Sequence, residues 1–123
     1  MLILVCGVGR AGKTTFSQRF KGVIHSDGMG HIPHRFANVI NALTDGDVVV
    51  EGIYESAELR TELCQAYKGN GKRCIWLDSP KDTVIGRARA THIPISESHF
   101  RFDFPTYSEG WDEIITIRSD SYA

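Results

Sequence analysis

The fold of this chain is decided by residues 2–20, which read LILVCGVGRAGKTTFSQRF. The run Leu2–Cys6 is apolar throughout and has the length of a strand, so it predicts a central strand of a parallel sheet covered on both faces. A glycine-rich stretch begins at Gly7. The segment from Thr14 to Phe20 then predicts a helix, because its aromatic residues recur with helical spacing. A strand, a glycine-rich loop and a helix therefore open the chain.

The loop between this strand and helix carries a phosphate-binding pattern. Residues 7–14, GVGRAGKT, satisfy GxxxxGK[ST], the P-loop or Walker A motif. Glycines let backbone N–H groups wrap closely around phosphate oxygens, and the helix N-terminus adds its dipole. In this pattern Lys13 reaches the β- and γ-phosphates and the hydroxyl of Thr14 binds Mg²⁺. We therefore expect the chain to bind ATP, or another nucleoside triphosphate, with Mg²⁺.

The expected nucleotide-binding residues all belong to this loop or to the first turn of the helix. They are Gly7, Gly9, Arg10, Ala11, Gly12, Lys13, Thr14 and Thr15. Arg10 either contacts a phosphate or is a solvated loop arginine. Thr15 either shares the Mg²⁺ role of Thr14 or caps and packs the helix.

Strands and helices alternate along the rest of the chain. Strands are predicted at 23–25, 48–50, 73–77 and 114–117, and helices at 33–43, at 57–68 after a Ser56 cap, and at 80–90. This alternation is typical of an α/β protein with a parallel sheet and helices on both faces. We expect a three-layer P-loop NTPase fold whose five parallel strands lie in the order 2-3-1-4-5. Residues 1–123 are expected to form a single domain, with a lid and acceptor region at about 80–112.

Composition agrees with a small globular domain. The 123 residues are 41% hydrophobic and 24% charged, and the formal net charge is −1, so the overall charge does not draw the chain to nucleic acid or a membrane. The cysteines Cys6, Cys64 and Cys74 are odd in number and lack metal-site spacing, which favours buried free thiols. The opening apolar run is too short for a signal peptide and no stretch has the length of a membrane span, so a cytoplasmic protein is expected.

Two classes of P-loop protein remain open on these motifs. A GTPase needs a base-specificity motif of the Asn-Lys-x-Asp type, and the sequence has none. Asp27-Gly28-Met29-Gly30 does match the DxxG string of a GTPase switch. The alternative to a kinase is therefore a nucleotide-binding module or GTPase-like switch without transferase activity.

The chain resembles the polynucleotide-kinase-like (zeta-toxin-like) branch of the P-loop kinases over nearly its whole length. Four features carry the resemblance: the first strand with its P-loop, Ser26-Asp27 after the second strand, Val48-Val49-Val50-Glu51-Gly52, and the tail Pro105-Thr106-Tyr107-Ser108-Glu109-Gly110-Trp111-Asp112-Glu113-Ile114. The resemblance implies transfer of the γ-phosphate of ATP to a hydroxyl on a nucleic-acid 5′ end, a nucleotide or a related small acceptor.

Carboxylates at two predicted strand ends are candidates for this chemistry, since ligands of parallel α/β sheets sit at the carboxyl ends of the strands. The resemblance implies that Asp27 activates the acceptor hydroxyl, and a base within hydrogen-bond reach of the attacking oxygen is what such a transfer needs. Asp27 could otherwise form a turn with Gly28. Glu51 either orients Mg²⁺-bound water or the acceptor, or is an exposed carboxylate at a strand end.

The remaining candidate residues belong to the expected lid and acceptor region or its surroundings. Arg87 and Arg89 lie on the helix after the fourth strand, where such kinases place arginines that stabilise the transferring phosphoryl group. They are two residues apart and cannot share a helix face, and Arg87 is the first choice. The family's phosphate-gripping arginine is replaced here by Gly30, and Arg35 is the substitute. Tyr54 is expected as a wall of the acceptor pocket.

One further segment alternates aromatic and charged residues. Residues 99–105 read HFRFDFP. Such alternation serves either to stack a nucleobase and hold phosphates or to pack phenylalanines onto the core.

Overall fold

The computed structural model of the chain describes residues 1–26, 39, 43–92, 95 and 100–118. Five strands form one sheet: β1 (Leu2–Cys6), β2 (Ile24–His25), β3 (Val48–Gly52), β4 (Lys72–Asp78) and β5 (Glu113–Arg118). All pairings are parallel, and the order is β2-β3-β1-β4-β5. The predicted fold class and strand order are confirmed.

Three helices complete the described part of the chain: α1 (Lys13–Ser17), α2 (Ala57–Ala66) and α3 (Lys81–Ala90). A short 3₁₀ turn at Tyr107–Glu109 precedes β5. The N-cap of α2 is confirmed, because the hydroxyl of Ser56 accepts a hydrogen bond of 3.1 Å from the N–H of Leu59. Among the described residues, no helix combines the length and apolar character needed to cross a bilayer.

Two predicted helix ends need correction. The first helix ends at Ser17 rather than Phe20, because the N–H of Phe20 bonds back only three residues, to the carbonyl of Ser17, at 2.9 Å. The helix α2 ends at Ala66 rather than Lys68, since Tyr67 already has extended backbone angles.

The predicted helix at 33–43 falls largely outside the described residues. Within that range, Val39 is buried in the core, and the N–H of Leu43 donates to its carbonyl oxygen at 3.0 Å.

Alternate residues of the central strand serve two cores, as the apolar run predicted. On one face Leu2, Leu4 and Cys6 pack with α2 and Trp111. On the other face Val5 packs with Phe16 of α1 and with side chains from β4. The central strand is therefore buried on both faces, and its carboxyl end delivers Gly7 to one edge of the sheet.

A buried ion pair attaches the tail to α2. Arg60 Nε donates to Glu109 Oε1 at 2.7 Å, and both side chains are almost completely buried. Arg60 also donates to the carbonyl oxygens of Tyr54 and Asp103, while the indole N–H of Trp111 donates to Glu109 at 3.0 Å. Burial lowers the pKa of Arg60, but the hydrogen bond and charge of Glu109 outweigh it, so the net shift is upward. Glu109, in the tail segment that carries part of the family resemblance, thus has a structural role, because it fixes the tail to α2.

Candidate functional site

The phosphate loop has the backbone shape that its glycines predict. Gly12 has φ of 95° and Arg10 has φ of 67°, so both lie in the left-handed region. A Cβ atom on Gly7 would lie 2.9 Å from the carbonyl oxygen of Leu77, which leaves no room for a side chain. The N–H of Gly7 donates to the carbonyl oxygen of Ile53 at 3.4 Å. The loop is therefore held between the ends of β3 and β4.

The P-loop lysine lies against its own loop. Lys13 is the first residue of α1, and its Nζ donates to the carbonyl oxygen of Val8 at 2.9 Å. Its side chain is only 4% exposed. An ammonium group held by a loop carbonyl, next to a helix N-terminus, is suited to an anionic ligand.

The hydroxyl of the P-loop meets a buried carboxylate. Thr14 Oγ1 donates to Glu51 Oε1 at 3.3 Å. The register of β1 with β3 pairs Val5 with Glu51, which brings the end of β3 beside the start of the loop. Glu51 is 1% exposed, so its interpretation as an exposed carboxylate at a strand end is wrong. A carboxylate this buried needs polar partners, and Thr14 is one of them.

A histidine that the sequence analysis did not single out is the second partner. His25 Nδ1 lies 3.1 Å from Glu51 Oε2, and β2 pairs with β3 so that His25 stands opposite Glu51. About half of the His25 side chain is exposed. Its position at the end of a predicted strand was the available signal. The predicted strand order already places that strand beside β3, but the sequence could not supply the register that sets His25 opposite Glu51.

Ser26, the residue directly after β2, is fixed to β3. Both the N–H and the hydroxyl of Ser26 donate to the carbonyl oxygen of Glu51, at 2.9 and 3.2 Å. The residues that follow, including the predicted base Asp27, the DxxG string, Gly30 and the predicted acceptor residue Arg35, lie outside the described residues.

Of the two lid arginines, the structure brings Arg87 to the phosphate loop. Its Nη1 donates to the carbonyl oxygen of Arg10 at 2.7 Å and lies 3.5 Å from the position of a Cβ on Gly12. Arg89 is exposed. The expectation that the two would face different ways agrees with this arrangement.

Two other predicted residues differ in their exposure to solvent. Tyr54 is fully buried in the core and has φ of 46°, so in this conformation its ring offers no surface to an acceptor. Its carbonyl oxygen instead accepts a hydrogen bond from Arg60. Thr15 is exposed on α1.

The phenylalanines of residues 99–105 were predicted either to stack a nucleobase or to pack on the core, and Phe102 and Phe104 differ in this respect. Phe102 is half-buried and stacks on Trp76, with ring centroids 5.9 Å apart and planes 5° from parallel. Phe104 is 70% exposed, and its ring centroid lies 4.9 Å from that of Trp76. Packing therefore explains Phe102 but leaves Phe104 at the surface.

Comparison with known proteins identifies the fold. No family model matches the chain, and no curated protein matches its sequence. Kti12 from Chaetomium thermophilum, solved in complex with ADP-AlF3, superposes with a TM-score of 0.77 at 12% identity, over 96% of this chain and 89% of that one.

Two kinase structures also superpose. A sugar kinase from Janibacter sp. HTCC2649 has a TM-score of 0.63 at 14% identity, covering 97% of this chain and 85% of that chain. A candidate kinase from Chloroflexus aurantiacus has a TM-score of 0.64 at 17% identity, covering 99% of this chain and 90% of that chain. The likeness shows that this chain has a fold of the P-loop kinase type.

Proposed function

We propose that this chain is an ATP-dependent phosphotransferase of the polynucleotide-kinase-like branch, acting as a single P-loop kinase domain. Its acceptor is a hydroxyl on a nucleic-acid 5′ end, a nucleotide or a related small molecule. The observation that carries the proposal is the contact between Thr14 and the buried Glu51, 3.3 Å apart at the base of the phosphate loop. A simple glycine-rich turn has no need of a buried carboxylate behind it.

The donor side rests on charges gathered at one loop. The backbone of residues 7–12, the ammonium of Lys13 and the guanidinium of Arg87 would surround the β- and γ-phosphates. Arg87 supports this role because it already contacts the loop at Arg10. Phosphoryl transfer spreads negative charge over the equatorial oxygens, and a fixed guanidinium stabilises that charge. The ADP-AlF3 bound to the Kti12 structure supports a nucleotide in this fold.

The donor set at Thr14 and Glu51 fits Mg²⁺. A hydroxyl and a carboxylate are oxygen ligands of the kind that this cation prefers, and Mg²⁺ keeps several waters that a nearby carboxylate can orient. Thr14 would bind the ion directly, with Glu51 behind it. When bound, the ion neutralises charge on the phosphate oxygens. His25 would hold Glu51 in position through its 3.1 Å contact.

The acceptor side rests on the strand end at Ser26. Its two hydrogen bonds to the carbonyl of Glu51 anchor the chain one residue before Asp27. Asp27 would take the proton of the acceptor hydroxyl as its oxygen attacks the γ-phosphorus. The bond from the γ-phosphorus to the β–γ bridging oxygen breaks, and ADP leaves. Arg35 would contact the acceptor, in place of the arginine that Gly30 replaces.

The test is transfer of a labelled γ-phosphate from ATP, with Mg²⁺, to a panel of oligonucleotides, nucleotides and nucleosides. We expect labelling of at least one acceptor, and its loss in Lys13→Ala and Asp27→Asn. The asparagine change keeps the shape of Asp27 and removes only its basic oxygen, so ATP binding should survive it.

Two results would count against the proposal. One is labelling that is identical in the parent and in both variants. The other is tight, selective GTP binding with slow hydrolysis and no labelled acceptor, which is the behaviour of a nucleotide-dependent switch.

A further inference from the structure

The most exposed large apolar side chain among the described residues is Phe104. It is 70% exposed, yet it packs against Trp76. The two ring centroids are 4.9 Å apart and the ring planes are inclined by 42°. Exposed apolar rings that cluster, rather than lie singly on the surface, mark candidate ligand sites.

The rings beneath Phe104 make further contacts. Trp76 belongs to β4 and stacks in parallel on Phe102. The guanidinium of Arg60 lies 5.3 Å from the ring centroid of Phe102. The same guanidinium forms the ion pair with Glu109. We name Trp76, Phe102 and Phe104 the aromatic platform. Because Trp76 and Phe102 already pack against other side chains, a ring that stacks on them costs little further side-chain entropy.

The aromatic platform lies at the same edge of the sheet as the phosphate loop. Trp76 stands opposite Cys6, the residue before Gly7, on the neighbouring strand. The segment after β3 connects both features, because its Ile53 carbonyl accepts from Gly7 and its Glu55 carbonyl accepts from Asp103 at 2.8 Å. A molecule on the platform would therefore lie beside the P-loop, on the side where α2 begins.

Two cationic side chains lie near the platform segment in the chain or on its neighbouring ring Phe100. Lys81 Nζ lies 4.9 Å from the ring centroid of Phe100, and Arg101 is exposed between Phe100 and Phe102. The nearby carboxylate of Asp103 accepts a hydrogen bond from the N–H of Ala57 at 3.2 Å. Rings beside cations suit a ligand that is both aromatic and anionic.

We propose that the aromatic platform stacks the base of a nucleotide acceptor, with Lys81 and Arg101 close to its phosphate. This inference rests on the proposed function and names its acceptor class: a nucleobase carrying a phosphate, either in a free nucleotide or at a single-stranded end. A protein partner fits less well, since a specific interface buries about 800 Å² per side. Besides Phe104, only Tyr107 and Met1 are exposed large apolar residues in the described part of the chain.

The test measures the binding of three probes in the absence of ATP, with tryptophan fluorescence as the readout. The probes are a thymidine tetranucleotide, an abasic deoxyribose-phosphate tetramer of equal charge, and thymidine 3′-monophosphate. We expect the tetranucleotide to bind and quench Trp76, and the abasic tetramer to bind at least about tenfold more weakly, given the usual strength of base stacking on aromatic rings. Binding of the monophosphate as tightly as the tetranucleotide identifies a free nucleotide as the ligand.

Phe104→Ala should weaken tetranucleotide binding about tenfold without lowering the melting temperature, because the ring is exposed. Tyr107→Ala is the matched control, since it removes a similarly exposed aromatic ring three residues away and should change nothing. Equal binding of the abasic and thymidine tetramers, or a parent that binds no probe, overturns the proposal. A Phe104→Ala effect on self-association alone, measured by sedimentation, also overturns it.

The same variants separate this proposal from the kinase proposal. Suppose that acceptor labelling depends on Lys13 but Phe104→Ala leaves the acceptor KM unchanged. That result would refute the platform proposal and support the kinase proposal. Base-dependent binding lost in Phe104→Ala, without any ATP-dependent labelling, would keep the platform and remove the transferase.

Discussion

Arg87 Nη1 donates a hydrogen bond of 2.7 Å to the carbonyl oxygen of Arg10, joining helix α3 to the phosphate loop. The two residues are far apart in the chain, and Arg10 has the left-handed backbone conformation that turns its carbonyl toward the helix. The guanidinium is thus already at the loop before any ligand arrives.

Replacing Arg87 should reduce phosphoryl transfer more than replacing Arg89. We expect Arg87→Ala to lower kcat by about 10²-fold or more, because it removes a fixed cation from the transferring group. Arg89→Ala removes an exposed arginine two residues away and should have a much smaller effect. Single-turnover transfer of labelled phosphate measures both. Equal losses in the two variants would contradict the assignment of Arg87.

Glu51→Gln should reduce the contribution of Mg²⁺ to nucleotide binding. The amide keeps the shape of the carboxylate but loses its charge, and changes of this kind behind a metal ligand weaken metal affinity about 10–100-fold. Nucleotide titrations with and without Mg²⁺ measure the difference. Glu51→Asp keeps the charge on a shorter side chain and should retain part of the Mg²⁺ effect. A Glu51→Gln protein with unchanged Mg²⁺ dependence would refute the role of Glu51.

Breaking the buried pair of Arg60 and Glu109 should destabilise the fold strongly. Glu109→Ala leaves a buried guanidinium without its counter-charge, which typically costs about 3–5 kcal/mol. Urea denaturation measures this loss. The control is the exposed pair of Arg73 and Glu113, 3.1 Å apart, where Glu113→Ala should cost no more than about 1 kcal/mol. Similar losses at the two sites would mean that Arg60 reaches water.

Burial of the thiols predicts a loss of stability in alkali. Burial raises the pKa of Cys64 from 9.0 to about 12, and the contact with Cys6, 3.6 Å between sulfurs, raises that of Cys74 together with its burial. Because the folded pKa is the higher one, the contribution is complete below pH 9.0 and is lost as the pH rises toward 12.

The free energy of unfolding of the parent should therefore fall between pH 9 and 11 more steeply than that of Cys64→Ala. Because the two proteins differ only at residue 64, the difference between the two slopes reports Cys64. Parallel curves would show that this thiol ionises as readily in the folded protein as in the unfolded chain.

Two glycines should respond to alanine in opposite ways. A Cβ on Gly52 would collide with the hydroxyl of Ser26 and lie 2.8 Å from the ring of Tyr54, so Gly52→Ala should destabilise by about 1–3 kcal/mol. Gly86 lies inside α3 with no atom within 4 Å of that position. Gly86→Ala should therefore stabilise by about 0.5–1 kcal/mol. Thermal denaturation tests the pair, and a shift of the same sign in both would contradict the packing at Gly52.

Local sequence determined the strands, most helices and the phosphate loop. Leu2–Cys6 could be recognised as a doubly covered strand because its apolar run needs no information from elsewhere in the chain. The P-loop could be recognised because its glycines, Lys13 and Thr14 act within one turn of backbone. Helix ends were less secure, since the last turn of α1 depends on which hydrogen bonds the chain closes.

The surroundings of the loop were decided only by tertiary structure. The predicted strand order puts β2, β3 and β1 side by side, but only their register brings His25, Glu51 and Thr14 together. The choice between Arg87 and Arg89 depends on how α3 lies over the loop. The buried partners Arg60 and Glu109 are 49 residues apart.

In each of these cases the contact is made by strand register or helix packing, which collects side chains that are distant in the chain. The motif at residues 7–14 is a property of the sequence. The carboxylate behind it, the arginine over it and the aromatic platform beside it are properties of the folded sheet.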